Sequence, residues 1–169
     1  MKKTLLFLLA AALCASAVPA RAADTGLTIK AGVTTPVDGS LQGSGGTMAL
    51  GAEYTLAKQA AAVPFNVALY GDLLNKSFGA GFSVRTDTVV YLGAGAGLYH
   101  ASVTQPPSCT VLIPGGCPST TSTASGAGTK VFGGFNAGKS VSIEAAYHFL
   151  PRASGVNTNA FSAELALHF

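Results

Sequence analysis

Charge is what this sequence has least of. Asp, Glu, Lys and Arg supply 10% of its 169 residues, where soluble domains carry roughly 25%. Tryptophan is absent. Beyond residue 22 every long apolar stretch is broken by polar residues. A helix needs ~20 apolar residues to cross a bilayer of about 30 Å, so a helical membrane protein is excluded. The length accommodates one ordinary domain or one membrane domain and excludes a multidomain machine.

The first segment has a different character. Lys2 and Lys3 precede an apolar run from Leu5 to Leu13, and Ala20-Arg21-Ala22 places small residues where a leader peptidase reads. This predicts a secretory signal over 1–22 and a mature domain over 23–169. Cys14 follows Leu13, not the small residue of a lipoprotein signal, which argues against lipid attachment. The formal charge of the whole chain is +3. Lys2, Lys3 and Arg21 account for it, and the remaining chain holds seven basic and seven acidic residues. The basic residues are dispersed singly, so nucleic-acid binding is excluded.

From Gly26 onward the chain alternates with a period of two, in eight segments separated by turn chemistry. Leu27, Ile29, Ala31 and Val33 oppose Thr28, Lys30 and Gly32. Met48, Leu50, Ala52, Tyr54 and Leu56 oppose Gly51, Glu53 and Thr55. Phe65, Val67, Leu69 and Leu73 oppose Asn66, Tyr70 and Asp72, and Phe78, Ala80, Phe82 and Val84 oppose Ser83 and Arg85. The fifth segment, about 89–103, alternates Gly93, Gly95 and Gly97 with Leu92, Ala94, Ala96 and Leu98. Tyr91 and Tyr99 share its glycine face, so its orientation stays open. The sixth opposes Val131, Gly133 and Phe135 to Lys130 and Phe132, and the seventh Val141, Ile143 and Ala145 to Ser142, Glu144 and His148. The eighth opposes Phe161, Ala163, Leu165, Leu167 and Phe169 to Ser162, Glu164 and His168.

A soluble sandwich also alternates, but its polar face is dense in Lys and Glu. Here that face is mostly Gly, Ser, Thr and Ala with isolated charges. In lipid a sheet must close so that every backbone group is paired, apolar outside and polar inside. The expected fold is therefore all-β: an eight-stranded antiparallel up-and-down transmembrane β-barrel. Its interior is wide enough only for side chains. Lys30, Glu53, Asp72, Arg85, Lys130, Glu144 and Glu164 all project inward, which predicts a lumen ion-pair network, since a lone charge there costs several kcal/mol. Two-residue turns are expected at Asp87-Thr88, Lys139-Ser140 and Asn75-Lys76, with the longest loop over about 104–128.

The signal segment, the eight alternating strands and the terminal Leu165-Ala166-Leu167-His168-Phe169 resemble the small outer-membrane β-barrel superfamily, the OmpA/OmpX-like transmembrane domain. The resemblance implies a C-terminal signal read by the barrel-assembly machinery, carried by Phe169 with Ala163, Leu165 and Leu167. It also implies the outer membrane of a Gram-negative-type bacterium, with outer-membrane lipid around a monomer. With no tryptophan, an aromatic girdle must come from Tyr and Phe.

Cys109 and Cys117 lie in the longest loop, which predicts a loop-closing disulfide in an oxidising compartment. The Ser/Thr/Gly run 119–128 is expected to be mobile. His148, Ser154 and Glu164 suggest an acyl-transfer set, but Ser154 follows Pro151 in a loop, so no catalytic role is expected. The Gly93-to-Gly97 stretch lacks the helix and Lys of a phosphate loop. No metal and no cofactor are expected. The sequence thus points to a structural or surface-contact barrel with a filled lumen. A narrow ion-conducting pore and an outer-leaflet lipid-modifying enzyme are its alternatives.

Overall fold

The computed structural model describes residues 26–38, 48–58, 65–105 and 120–169. Their strands are β1 (Leu27–Pro36), β2 (Met48–Lys58), β3 (Phe65–Leu74), β4 (Ser77–Thr86), β5 (Val90–Gln105), β6 (Thr120–Asn136), β7 (Val141–Phe149) and β8 (Ala160–His168). Each pairs with its sequence neighbour, and β1 pairs antiparallel with β8 to close the barrel. The all-β up-and-down barrel read from the period-two pattern is the fold observed.

Alternation decides which way each strand faces. In β3, Asn66, Ala68, Tyr70, Asp72 and Leu74 are buried while Phe65, Leu69 and Leu73 are exposed. The open question in β5 is resolved in favour of the glycine face. Tyr91 and Tyr99 are buried at 1% and 2% exposure, whereas Leu92 and Leu98 on the other face stand at 68% and 74%. The ring size explains the choice. Tyr99 lies over Gly79 of β4 and Gly128 of β6, where a Cβ would collide with the ring, and Tyr91 lies over Gly134 in the same way. Three glycines in two strands make the space that the two tyrosines fill.

At one end lie the connections 87–89 and 137–140. Both are longer than the two-residue turns expected, because β4 stops at Thr86 and β6 at Asn136. In the 87–89 connection Leu92 N donates to Thr86 Oγ1 (3.1 Å) and Asn136 Nδ2 to Thr88 O (2.9 Å), so side chains satisfy the backbone there, and the 137–140 connection is closed by Ala137 N donating to Val141 O (3.0 Å). At the opposite end Asn75-Lys76 is the tight turn expected, with Asn75 at φ 54.

The run 119–128 departs from its expectation. Residues 120–128 form the first half of β6, paired with β5 from Gln105↔Thr120 to Gly97↔Gly128. Thr has high strand propensity, and alternating Thr with Ala, Ser and Gly keeps the pleat. Neither face is strongly apolar there, so the hydrophobic period that marks the other strands is missing. The remaining connection among the described residues, between β7 and β8, folds back on itself. Ala153 bridges Val156 across Ser154 (φ 48) and Gly155 (φ 77), a two-residue turn of the type that suits strand twist. Thr158 Oγ1 donates to Pro151 O (2.7 Å) and Leu150 N to Asn159 Oδ1 (3.0 Å). Leu150 is thereby set into the barrel mouth against Ala49, Tyr70, Leu74, Tyr99 and Ala160.

Candidate functional site: the barrel lumen

The inward charges fall into two tiers. Nearer the 87–89 and 137–140 turns, Lys30 Nζ of β1 donates to Glu53 Oε2 of β2 (3.0 Å) and to Glu144 Oε1 of β7 (2.8 Å). Tyr91 OH donates to Glu144 Oε2 (2.9 Å). Arg85 Nε stands 3.9 Å from Glu53 Oε1, a charge contact longer than a hydrogen bond, and its guanidinium lies over the Tyr91 ring at 5.2 Å. Below them His168 has both ring nitrogens held, Nδ1 by Thr28 Oγ1 and Nε2 by Ser142 Oγ, each at 2.9 Å.

The second tier lies toward Leu150. Lys130 Nζ donates to both Asp72 oxygens (3.1 and 3.0 Å) and sits 3.7 Å from the centroid of the Tyr70 ring. Tyr99 OH lies 3.1 Å from Asp72 Oδ2 and 3.0 Å from Tyr70 OH. His148 Nε2 is 3.1 Å from Ser162 Oγ, and its Nδ1 is 3.8 Å from Asp72 Oδ2.

Six of the seven lumen charges read from the sequence therefore make ion pairs. Glu164 is buried at 7% exposure opposite Glu144 in the β7–β8 register, and it has no cation within 4.0 Å among the described residues. Sequence reading missed how far Tyr70, Tyr91 and Tyr99 take part. The signal was present in β5, where two tyrosines share a face with three glycines.

Serine, histidine and aspartate do meet here, but with Ser162, not the Ser154 considered from the sequence. Ser154 occupies the loop turn described above. Ser162 is fully enclosed, and 3.8 Å from His148 to Asp72 is beyond hydrogen-bond reach. The His148 Nδ1 that would be oriented by a third group has no hydrogen-bond partner among the described residues.

Both mouths are concave. A cavity of 260 Å³ at the turn end is lined in part by Thr28, Asn66, Arg85, Asp87, Lys139 and His168. One of 50 Å³ at the other end is lined in part by Thr34, Leu74, Lys76, Leu150 and Thr158. Between them Lys30, Glu53, Tyr91, Tyr99, Lys130 and His148, each at most 2% exposed, occupy the interior. A closed eight-stranded sheet with apolar residues outside and an ionic, side-chain-filled interior is now fully in view. Its fold is a closed eight-stranded antiparallel up-and-down β-barrel.

Among solved structures the chain is similar to Ail, the attachment invasion locus protein of Yersinia pestis, with 14% identity over 85% of this chain and 96% of that one, at a TM-score of 0.47. It is also similar to Neisserial surface protein A, with 16% identity over 85% of this chain and 94% of that one, at 0.41. No protein-family model and no curated protein matches the sequence.

The remaining residues of interest are simply placed. Ala163, Leu165 and Leu167 lie on the outer face of β8, facing away from the lumen positions Ser162, Glu164 and Ala166. Phe169 N donates to Leu27 O (2.8 Å), tying the last residue to β1. Cys109 and Cys117, and the signal segment 1–22, lie outside the described residues.

Proposed function

We propose that the chain is an integral outer-membrane barrel with a structural or surface-contact role and a lumen closed by its own side chains. One observation carries this reading: the apolar exterior is continuous around the barrel. Every strand contributes to it, from Ile29 and Tyr54 through Phe82 and Leu92 to Ile143 and Phe161. The largest apolar patch on a soluble monomer is about 300–600 Å². Among the residues whose burial is described, no charged side chain lies on the outer face of the strands, although Lys30, Glu53, Asp72, Lys130 and Glu144 crowd the inside. Water outside and lipid inside would demand the reverse.

On this reading residues 1–22 are the cleaved export signal, and Ala163, Leu165, Leu167 and Phe169 are read by the barrel-assembly machinery. The mature barrel sits as a monomer in lipid with its 75–76 and 150–159 connections at the cell surface. Cys109 and Cys117 would form their disulfide in the loop at that surface. The non-catalytic reading rests on the enclosure of Ser162.

Refolded protein in a planar bilayer is expected to show no sustained large conductance. Glu53→Ala is expected to raise the leak, because it frees Arg85 and opens the second tier to the 260 Å³ vestibule. A stable large conductance from the unaltered chain would identify a pore instead. Recovery of the mature chain in a soluble fraction would end the membrane reading altogether.

A further inference from the structure

Three polar side chains in the wall of the 260 Å³ cavity are already engaged. Thr28 and His168 bond each other, Ser142 takes the second ring nitrogen of His168, and Asn136 Nδ2 is spent on Thr88 O. Two others, set deeper than the exposed Asp87 and Lys139 of the rim, are not. Asn66 of β3 and Arg85 of β4 are cross-strand partners, and both line the cavity. Neither side chain makes a hydrogen bond to any described residue. Asn66 is nonetheless only 6% exposed. Arg85 has a charge contact with Glu53 Oε1 at 3.9 Å, but the other oxygen of that acid is already held by Lys30 at 3.0 Å, and Arg85 Nη1 is buried without a partner.

Buried donors in native proteins are almost always used. A guanidinium and a neighbouring side-chain amide that both stand unused at one cavity wall therefore lack an acceptor. The guanidinium fork matches the two oxygens of a carboxylate, and the amide of Asn66 can donate to the same group. We infer that this cavity binds a small molecule by its carboxylate, held between Arg85 and Asn66. The inference needs only the closed barrel and does not depend on where the barrel sits.

Charge and size narrow the class. Lys139 adds a second cation at the rim, which favours an anion over a neutral acceptor. Asp87 in the same lining and Glu53 behind Arg85 oppose a second negative charge, so a singly charged carboxylate suits the site better than a phosphate dianion. A single water needs only about 10–15 Å³, and the cavity offers 260 Å³. The carboxylate can thus bring with it a body of several heavy atoms. A free organic acid and the carboxyl terminus of a short peptide share this chemistry.

The test is a titration of the isotope-labelled chain, purified in a non-ionic detergent, with sodium acetate, read at the side-chain N–H resonances of Arg85 and Asn66. Both are expected to shift saturably in the millimolar range, while the Asn75 amide at the opposite mouth stays still. Acetamide, which has the shape without the charge, should give no saturation, and inorganic phosphate should bind more weakly than acetate. Asn66→Ala breaks no side-chain hydrogen bond within the described chain and should weaken acetate about tenfold. Arg85→Lys keeps a charge beside Glu53 but lacks the fork, and should also weaken it about tenfold. Heat-modifiable migration checks that each variant has closed, and Asn66→Ala carries the test alone if Arg85→Lys does not close. Alanylalanine titrated in parallel separates the two sources: tighter binding than acetate assigns a peptide terminus, weaker binding a free acid. No saturation with acetate, an equal response to acetamide, tighter binding of phosphate than of acetate, or undiminished binding in a closed variant would each overturn the carboxylate site.

Discussion

Lys30→Met is expected to destabilise the barrel by about 3–5 kcal/mol, the usual cost of stripping one partner from a buried ion pair. Lys30 bridges Glu53 and Glu144 at 3.0 and 2.8 Å, and all three side chains are at most 2% exposed. Methionine fills nearly the same volume, so the loss is electrostatic and not a cavity. Glu144 would retain only the Tyr91 hydroxyl, and Glu53 only Arg85 at 3.9 Å. Glu164, opposite Glu144, adds a further acid to the same region. Urea unfolding in detergent micelles, followed by heat-modifiable migration, measures the change. Adding Glu144→Gln should recover part of it, because the amide leaves a smaller unbalanced charge. Lys130→Met should cost less than Lys30→Met, since Asp72 keeps the Tyr99 hydroxyl at 3.1 Å and the His148 ring at 3.8 Å, and only one acid is orphaned. An equal or larger loss at Lys130 would show that the two tiers do not differ as their geometry indicates.

The faces of seven strands were legible because apolar and polar residues alternate without slippage, and a period of two admits only one inward set. The same parity placed Lys30, Glu53, Asp72, Arg85, Lys130, Glu144 and Glu164 together inside. Parity says nothing of height along the barrel, so it could not divide them into two tiers or show Glu164 apart from the lysines. β5 was ambiguous because its inward positions are glycine and its outward ones alanine and leucine. Only the burial of Tyr91 and Tyr99 distinguishes them. The first half of β6 was invisible for a related reason: Thr and Ser facing Ala and Gly carry strand propensity but no hydrophobic contrast. Ser162 beside His148 was hidden because the pair forms across the β7–β8 boundary, where register and not sequence spacing sets the distance.

The glycines beneath Tyr99 lead to the second large effect. A Cβ at Gly79 would fall within the Tyr99 ring, and one at Gly128 would lie 2.6 Å from Tyr99 Cδ2. Gly79→Val therefore cannot be accommodated while Tyr99 keeps its place between Tyr70 and Asp72. The ring must swing away, which breaks its hydrogen bonds to both, removes a donor from Asp72 and unpacks the apolar cap with Leu74 and Leu150. Overpacking alone costs about 1–3 kcal/mol, and the lost buried hydrogen bonds add about 1–3 kcal/mol more. Refolding yield and urea midpoint should both fall. The decisive control is Gly79→Val with Tyr99→Ala. If the collision is the cause, removing the ring makes the valine harmless, and the double variant is no less stable than Tyr99→Ala alone. Additive losses would mean that Gly79 is required for its backbone and not for the space above it. By contrast, Gly71→Ala, where the nearest atom to a new Cβ is Gly79 O at 3.9 Å, should be tolerated. The strand neighbours Gly71 and Gly79 would then differ only in which face of the wall they occupy.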